Sequence, residues 1–335
     1  MHILSSASLL SWVLVVFTIL PITFGSPIPP KRASNIQLGL NADFPDPSIV
    51  KALDGNWYAF GTAGNGKRIQ VAVSSDFNSW NLLDVDALPT FGTWETGNTN
   101  YAPDVIQRKD GKFVMYYAGE AKSDLRHHCV NTAISDLPAG PYIPSNTPLA
   151  CPLDNGGAID PAGFLDKDGA RYVVYKVDGN SIGHGGTNKV ECNNSIEPLV
   201  ATPLMLQKVK EDGVTPIGEP VKILDRNTAD GDGPLVEAPS LVFHEGTYFL
   251  FYSTHCFTDT AYDVRYATSS SITGPYTKNN LEFVQTGDSG LNSPGGATVC
   301  GCGDKMVLHG WCNNGSERCM YHAKLKLSGK TATLV

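Results

Sequence analysis

The 335-residue chain lacks the features that would tie it to a membrane or to nucleic acid. Its uncharged apolar run, LLSWVLVVFTIL (9–20), has twelve residues. That is well short of the ~20 a membrane-spanning helix needs, and no other stretch is a candidate. The first 25 residues also hold no Lys, Arg, Asp or Glu. They read as a secretory signal peptide, residues 1–25, with the apolar run as its core and Gly25 at the cleavage position. The absence of a basic residue ahead of that run departs from the usual pattern. SPIPPKR (26–32) opens an extended leader, residues 26–38, in which Lys31-Arg32 is either a second processing site or a solvated basic pair. Basic residues are scarce, 25 Lys and Arg against 33 Asp and Glu, for a net charge of −8. A nucleic-acid partner needs a basic surface and is excluded. An acidic polymer would be repelled, whereas a neutral ligand such as a sugar fits. Long helical periodicity is missing as well.

Eight cysteines are present, at 129, 151, 192, 256, 300, 302, 312 and 319. An even number in a secreted chain points to disulfides, whose connectivity the sequence leaves open. The rival is a zinc site built from CGC (300–302), Cys312 and Cys319, which lacks the usual two-to-four-residue ligand spacing. Two glycosylation sequons begin at Asn193 and Asn314.

A repeat organises the rest. Asp54-Gly55, Asp110-Gly111, Asp168-Gly169 and Glu245-Gly246 each precede an apolar, aromatic-rich strand: NWYAF, KFVMYY, ARYVVYK and TYFLFYS. GDKMVLHGW near 303 is a degenerate fifth copy. The spacings are 56, 58, 77 and 58 residues, the long one containing the Gly/Asn-rich insertion 178–195. Small-polar strands recur in step, as in VAVSSDFNSW, TAISDLPAGPY and YATSSSITGPY. Five units of short strands separated by turns predict an all-β, five-bladed β-propeller over residues 39–335. Each blade would be four-stranded and antiparallel, around a central channel. A two-sheet sandwich would require the five in-phase copies to be accidental.

Eight residues before the five turns stand Asp46, Ala102, Asp160, Glu237 and Gly295. Equivalent blades would bring the three acids together at one mouth of the channel. Like charges in a poorly solvated cavity repel, so one carboxyl keeps a proton while another stays ionised. Glycosidic hydrolysis uses such a pair, one acid for the leaving oxygen and one base for water. Asp-Pro commonly opens a turn, so Asp46 or Asp160 alone would be an ordinary turn residue. The shared phase is what singles them out. Calcium binding is the competing use of three carboxylates, but no tightly spaced oxygen-rich loop is present.

The segments FPDPS (44–48), YAPDV (101–105), AIDPAGF (158–164) and VEAPSLV (236–242) resemble those of glycoside hydrolase family 43 in order and spacing. The resemblance covers most of the chain after about residue 40. It implies a five-bladed propeller with inverting chemistry on arabinose- or xylose-containing polysaccharide. By position, it makes Asp46 the general base, Glu237 the general acid and Asp160 the residue that orients and tunes the acid. Arg265, in YDVRYATS, resembles a family arginine near the acid; otherwise it is a surface arginine on a strand. Phe44, Tyr101, Phe257 and Tyr262 are candidates for stacking on sugar, against the ordinary use of such rings as core.

Two positions depart from the family pattern. Tyr101 stands where Trp often precedes Ala-Pro-Asp. Gly296, in SPGGATV, stands where many relatives carry a histidine that arabinan-cleaving members associate with a channel metal. No cofactor is therefore expected, and structural calcium is in doubt, with His309 and His255 as the substitutes to consider. The expectation is a secreted, monomeric hydrolase of neutral arabinan-type polysaccharide, either endo-acting or releasing arabinose from chain ends. A β-xylosidase of the same family and a non-catalytic carbohydrate-binding propeller are the alternatives. A retaining fructan-type hydrolase is disfavoured, because Ile159 precedes Asp160 and Ala238 follows Glu237.

Overall fold

The computed structural model describes His2 and residues 35–185, 192–279 and 281–335. The signal-peptide assignment and most of the leader fall outside the described residues. An N-terminal strand, β1 (Gln37–Asp43), begins two residues inside the segment assigned above to the leader.

Four sheets follow in chain order. The first holds β2 (Ser48–Lys51), β3 (Trp57–Gly61), β4 (Gln70–Ser74) and β5 (Asn81–Leu82). The second holds β6 (Glu95–Gln107), β7 (Phe113–Ala121), β8 (His128–Ser135) and β9 (Ile143–Pro144). The third holds β10 (Ala158–Leu165), β11 (Arg171–Val177), β12 (Leu204–Val209) and β13 (Val221–Leu224). The fourth holds β14 (Val236–His244), β15 (Thr247–Thr254), β16 (Asp263–Ser269) and β17 (Thr277–Lys278). The fifth holds β18 (Gly295–Val299), β19 (Lys305–Cys312) and β20 (Glu317–Ser328), with β21 (Thr331–Leu334) beside β20. Its outer place is taken by β1, which pairs antiparallel with β20. The first and last parts of the chain thus share one blade, and the ring is closed. This is a five-bladed β-propeller.

Each junction between blades has its own apolar core. Phe60, Val71 and Leu88 meet Met115 and Tyr117 between blades one and two. Val114 and Tyr116 meet Val173 and Val209 between two and three. Between three and four, Val174 and Leu206 face Leu241 and Leu250. Phe249 and Phe251 face Met306 and Leu308 between four and five. The last junction sets Phe44 and Trp57 against Val307 and Met320. Each such side chain, fully buried, contributes roughly 1.5–3 kcal/mol, which is why no blade stands without neighbours.

The turns explain a one-residue error in the sequence alignment. In the first three blades Asp-Gly lies within a three-residue connection. The Ala52 N–H, for instance, donates to Asn56 O at 3.0 Å, which leaves 53–55 as the loop, and the Gly55 N–H donates to Ala52 O at 3.0 Å. In the fourth blade Glu245-Gly246 is the whole turn, because His244 faces Thr247 directly. Both turn residues have positive φ, 45° and 88°, as a two-residue hairpin of the right twist demands. Counting back from the turn therefore slips Glu237 by one position.

The backbone marks the true equivalents. Asp46, Ala102, Asp160, Ala238 and Gly296 all have φ between 44° and 58°. In blades two to five these residues sit in bulges of the innermost strand. Neighbouring blades tie the bulges down. The Asp46 N–H donates to His309 Nδ1 (3.0 Å) and the Ala102 N–H to Thr62 Oγ1 (2.8 Å). The Ala238 N–H donates to Asp160 Oδ2 (2.9 Å) and the Gly296 N–H to Ser253 Oγ (3.0 Å).

The cysteines pair as 129–151, 192–256, 300–302 and 312–319. The thiols of the zinc reading are thereby consumed. Asn314 is exposed. The Asn193 amide donates to Gly183 O at 2.6 Å.

Candidate active site

Asp46, Asp160 and Glu237 meet in a cavity of about 260 Å³ at one mouth of the channel. Asp46 comes from blade one and Glu237 from blade four, which are not adjacent in the ring, so they approach from different sides. Asp160, on blade three, is the neighbour of blade four.

Asp46 has two strong partners. Thr62 Oγ1 donates to its Oδ2 at 2.6 Å, and Arg318 Nη1 lies 3.2 Å from its Oδ1. Burial alone would raise this carboxyl, but the guanidinium and the hydroxyl hold it well below the usual carboxylate range. The ring of His309 is fully buried and its burial favours the neutral form. Its Nδ1 accepts the Asp46 N–H, so its proton sits on Nε2. The 3.3 Å approach of Nδ1 to Asp46 Oδ1 is therefore a contact between acceptors.

Asp160 behaves oppositely. Burial, and then the charge of Glu237, push it up to about 8, against the opposing pull of Lys176. It holds a proton at neutral pH and is tied to Glu237 through the Ala238 N–H. Glu237 has both oxygens engaged. Tyr262 OH donates to Oε1 at 2.8 Å, and Lys176 Nζ to Oε2 at 2.9 Å. The cavity thus sets an ionised Asp46 apart from a proton-holding Asp160 that adjoins Glu237, the divergence of carboxyl environments that acid–base chemistry uses.

Two glycines make room for this arrangement. A Cβ on Gly295 would lie 1.9 Å from Tyr262 Cε1, and one on Gly296 2.7 Å from His309 Nδ1. The tyrosine ring then lies parallel to the imidazole, 11° apart in plane. The SPGG segment therefore serves as a floor cleared for two rings, one from the β15–β16 connection and one from β19.

The other predicted residues divide. Tyr101 lines the cavity and stacks on His128, ring centres 4.4 Å apart. Phe257 lines it too, with the Arg318 guanidinium 4.7 Å from its ring centre. Phe44 does not: it is wholly buried, packed against Gly61 in the junction between blades five and one. Arg265 is not among the cavity-lining residues either. It is buried against Asp263 (2.9 Å), Asp230 O (2.9 Å) and Glu282 (3.5 Å), a structural network of the fourth blade. Sequence reasoning missed Arg318, Lys176, Thr62 and His128. Lys176 had a visible signal, a lone charge inside the apolar strand RYVVYKV.

Neither proposed histidine suits a metal. His309 presents a protonated Nε2 that meets no hydrogen-bond partner among the described residues, and a nitrogen must be deprotonated to ligate. The His255 Nδ1 contacts Thr254 Oγ1 at 2.8 Å, and its ring packs beside Gly233. Calcium takes six to eight oxygens. Among the described residues, the clusters of metal-ligating type are the two around Cys300–Cys302 and Cys312–Cys319, whose sulfurs are bonded to each other. No step below runs through a metal.

The model of the glycosyl hydrolases family 43 matches residues 40–328. The chain belongs to glycosyl hydrolase family 43. It is therefore a glycosidase, which hydrolyses O-glycosyl bonds. It is 25% identical over 287 residues, 80% of each chain, to extracellular endo-α-(1→5)-L-arabinanase 1 of Bacillus subtilis (strain 168). It is 30% identical over 183 residues to a xylosidase/arabinosidase of Bacteroides ovatus, covering 50% of this chain and 52% of that one. Over a thermostable family-43 glycoside hydrolase of known structure the TM-score is 0.75 at 23% identity, with 90% and 95% of the two chains covered. That last likeness concerns the fold. Membership of this family implies a polysaccharide substrate.

Proposed function

We propose that the chain is a secreted, inverting hydrolase that releases arabinose from the ends of arabinose-containing plant cell-wall polysaccharide. Asp46 acts as general base, Glu237 as general acid and Asp160 as the proton-holding neighbour that tunes it. Asp46 takes a proton from water as the water oxygen bonds to the anomeric carbon. Glu237 gives its proton to the glycosidic oxygen as that carbon–oxygen bond breaks. Asp46 is a weak base, held down by Arg318, but an oxocarbenium-like transition state asks little of the nucleophile.

The observation that carries the chain-end reading is the cavity wall. At about 260 Å³ it lies just below the ~300–1,000 Å³ of pockets for drug-sized ligands, a size for one or two sugar rings. Cys192, from the insertion between β11 and β12, lines it and is bonded to Cys256, next to Phe257. This supports a pocket closed on the side of blades three and four. Internal cleavage is the second reading, favoured by the similarity to endo-arabinanases. Secretion is supported by the extracellular relatives.

The test is product analysis on linear arabinan, arabinoxylan and aryl pentosides, with and without chelator. Monosaccharide alone from arabinan, of inverted anomeric configuration in proton NMR and undiminished by chelator, is expected. A ladder of oligosaccharides would replace the chain-end reading with internal cleavage. Xylose alone would move the substrate to xylosides, and retained configuration would overturn the roles given to Asp46 and Glu237.

A further inference from the structure

Lys176 is the least expected charge in the molecule. It sits on β11 among valines and tyrosines and is 1% exposed. A buried ammonium is costly unless paired. Two carboxylates flank it: Glu237 Oε2 at 2.9 Å and Asp178 Oδ1 at 3.0 Å. The first contact is a directed hydrogen bond, whereas the second is an ion pair without hydrogen-bond geometry. The acid mechanism uses neither Lys176 nor Asp178, yet both line the catalytic cavity.

The difficulty they address is chemical. Glu237 must carry a proton at the moment of bond cleavage. An ammonium whose single partner was Glu237 would oppose this, because protonating the glutamate would leave the buried cation unpaired. A second carboxylate at nearly the same distance removes that penalty. When Glu237 is neutral, Lys176 stays paired with Asp178; when Glu237 has given up its proton, Lys176 receives the new charge.

We propose that Lys176 and Asp178 are positioning residues for the hydrolysis, which aim Glu237 and let it cycle between acid and carboxylate by sharing one ammonium. This rests on the reading of Glu237 as the general acid.

The full set of groups facing Glu237 agrees with the assignment. Tyr262 donates to Oε1 from the β15–β16 connection. Asp160 adjoins from β10, Lys176 from β11 and Asp178 from just beyond it. Asp46 and Arg318 stand on the far wall, and neutral His309 lies behind Tyr262. With Glu120 and Arg126, which line the cavity further out, five carboxyls and three cations share this space. With every carboxyl ionised the set would carry −2, and Asp160, buried beside Glu237, is the carboxyl that keeps a proton. Lys176 itself is no proton source, since its two anionic neighbours outweigh burial and hold it charged.

The experiment is the pH profile of kcat for Asp178→Asn and Lys176→Met on aryl arabinosides with good and poor leaving groups. Asp178→Asn leaves the ammonium to Glu237 alone. Its alkaline limb should move down by about 1–3 pH units, the range for an opposite charge at this distance, and turnover should fall most with the poorest leaving group. Lys176→Met should move the limb up, and the double variant should lie between the two singles. If Lys176→Met fails to fold, Asp178→Asn decides alone, since it keeps the lysine paired. Folded variants whose limb stays put, with activity lowered equally for all leaving groups, would reduce the pair to a structural tie. Glu237→Gln separates the two claims. If it keeps full turnover of poor leaving groups, the reading of Glu237 fails. If it loses that turnover while the Asp178→Asn limb is unmoved, this inference alone fails.

Discussion

Asp46 and Asp160 occupy equivalent positive-φ positions, yet their surroundings drive them apart. Both are buried. Asp46 has the Arg318 guanidinium and a hydroxyl donor, so it stays ionised below the usual carboxylate range. Asp160 faces Glu237 and retains a proton up to about 8. A lowered base loses activity as pH falls through its own value; a raised acid loses it as pH rises through its own. The alkaline limb reports the proton that Asp160 holds beside Glu237. The expected kcat/KM profile is therefore a bell, with an alkaline limb near pH 8 and an acid limb below the ordinary carboxylate value of about 4. Arg318→Met should raise the acid limb by about 1–3 units while leaving the alkaline limb in place. An acid limb that does not move would show that Arg318 holds substrate and does not tune Asp46.

At the level of the element, the innermost strands show what a sequence can and cannot convey. The five-fold repeat of turn and aromatic strand was legible, because hairpins and buried strands leave local signatures. The fourth-blade register was not, because E-G and D-G look alike while closing turns of two and three residues. Phe44 and Arg265 were misplaced because contacts made only in the fold set where each points: Phe44 packs against Gly61 in a junction core, and Arg265 binds Asp263 and the Asp230 carbonyl. Arg318 was invisible because it arrives from the last blade, 272 residues from Asp46. The two glycines of SPGG carried a signal that only the structure makes readable. Gly295→Ala would push a Cβ into Tyr262, the partner of Glu237. A loss of about 1–3 kcal/mol in stability and a fall in kcat are expected. Gly301→Ala, where a Cβ meets nothing within 4 Å, should stay within about 0.5 kcal/mol of the parent. Equal behaviour of the two variants in denaturant unfolding would remove the glycine argument.

For the molecule as a whole, ring closure and catalysis depend on the same strand. β1 is the outer strand of the fifth blade, and its Asp43 Oδ1 accepts the Arg318 N–H at 3.0 Å. The next residue, Phe44, donates its own N–H to Arg318 O at 2.8 Å. The guanidinium that controls Asp46 is thus held by the segment that closes the propeller. Leu40 is the buried apolar anchor of that segment, in the core shared by blades five and one. Leu40→Ala should cost about 2–5 kcal/mol. Because each blade leans on two others, the loss should appear as one transition at lower temperature and not as a separate early step. Activity should become heat-sensitive over the same interval, since loosening β1 releases Arg318. Thermal unfolding followed by circular dichroism, with residual activity measured in parallel, checks both points. An early loss of activity that precedes a single, unshifted unfolding transition would mean that β1 positions Arg318 without closing the ring. An unchanged molecule in both assays would mean that the pairing of β1 with β20 contributes to neither.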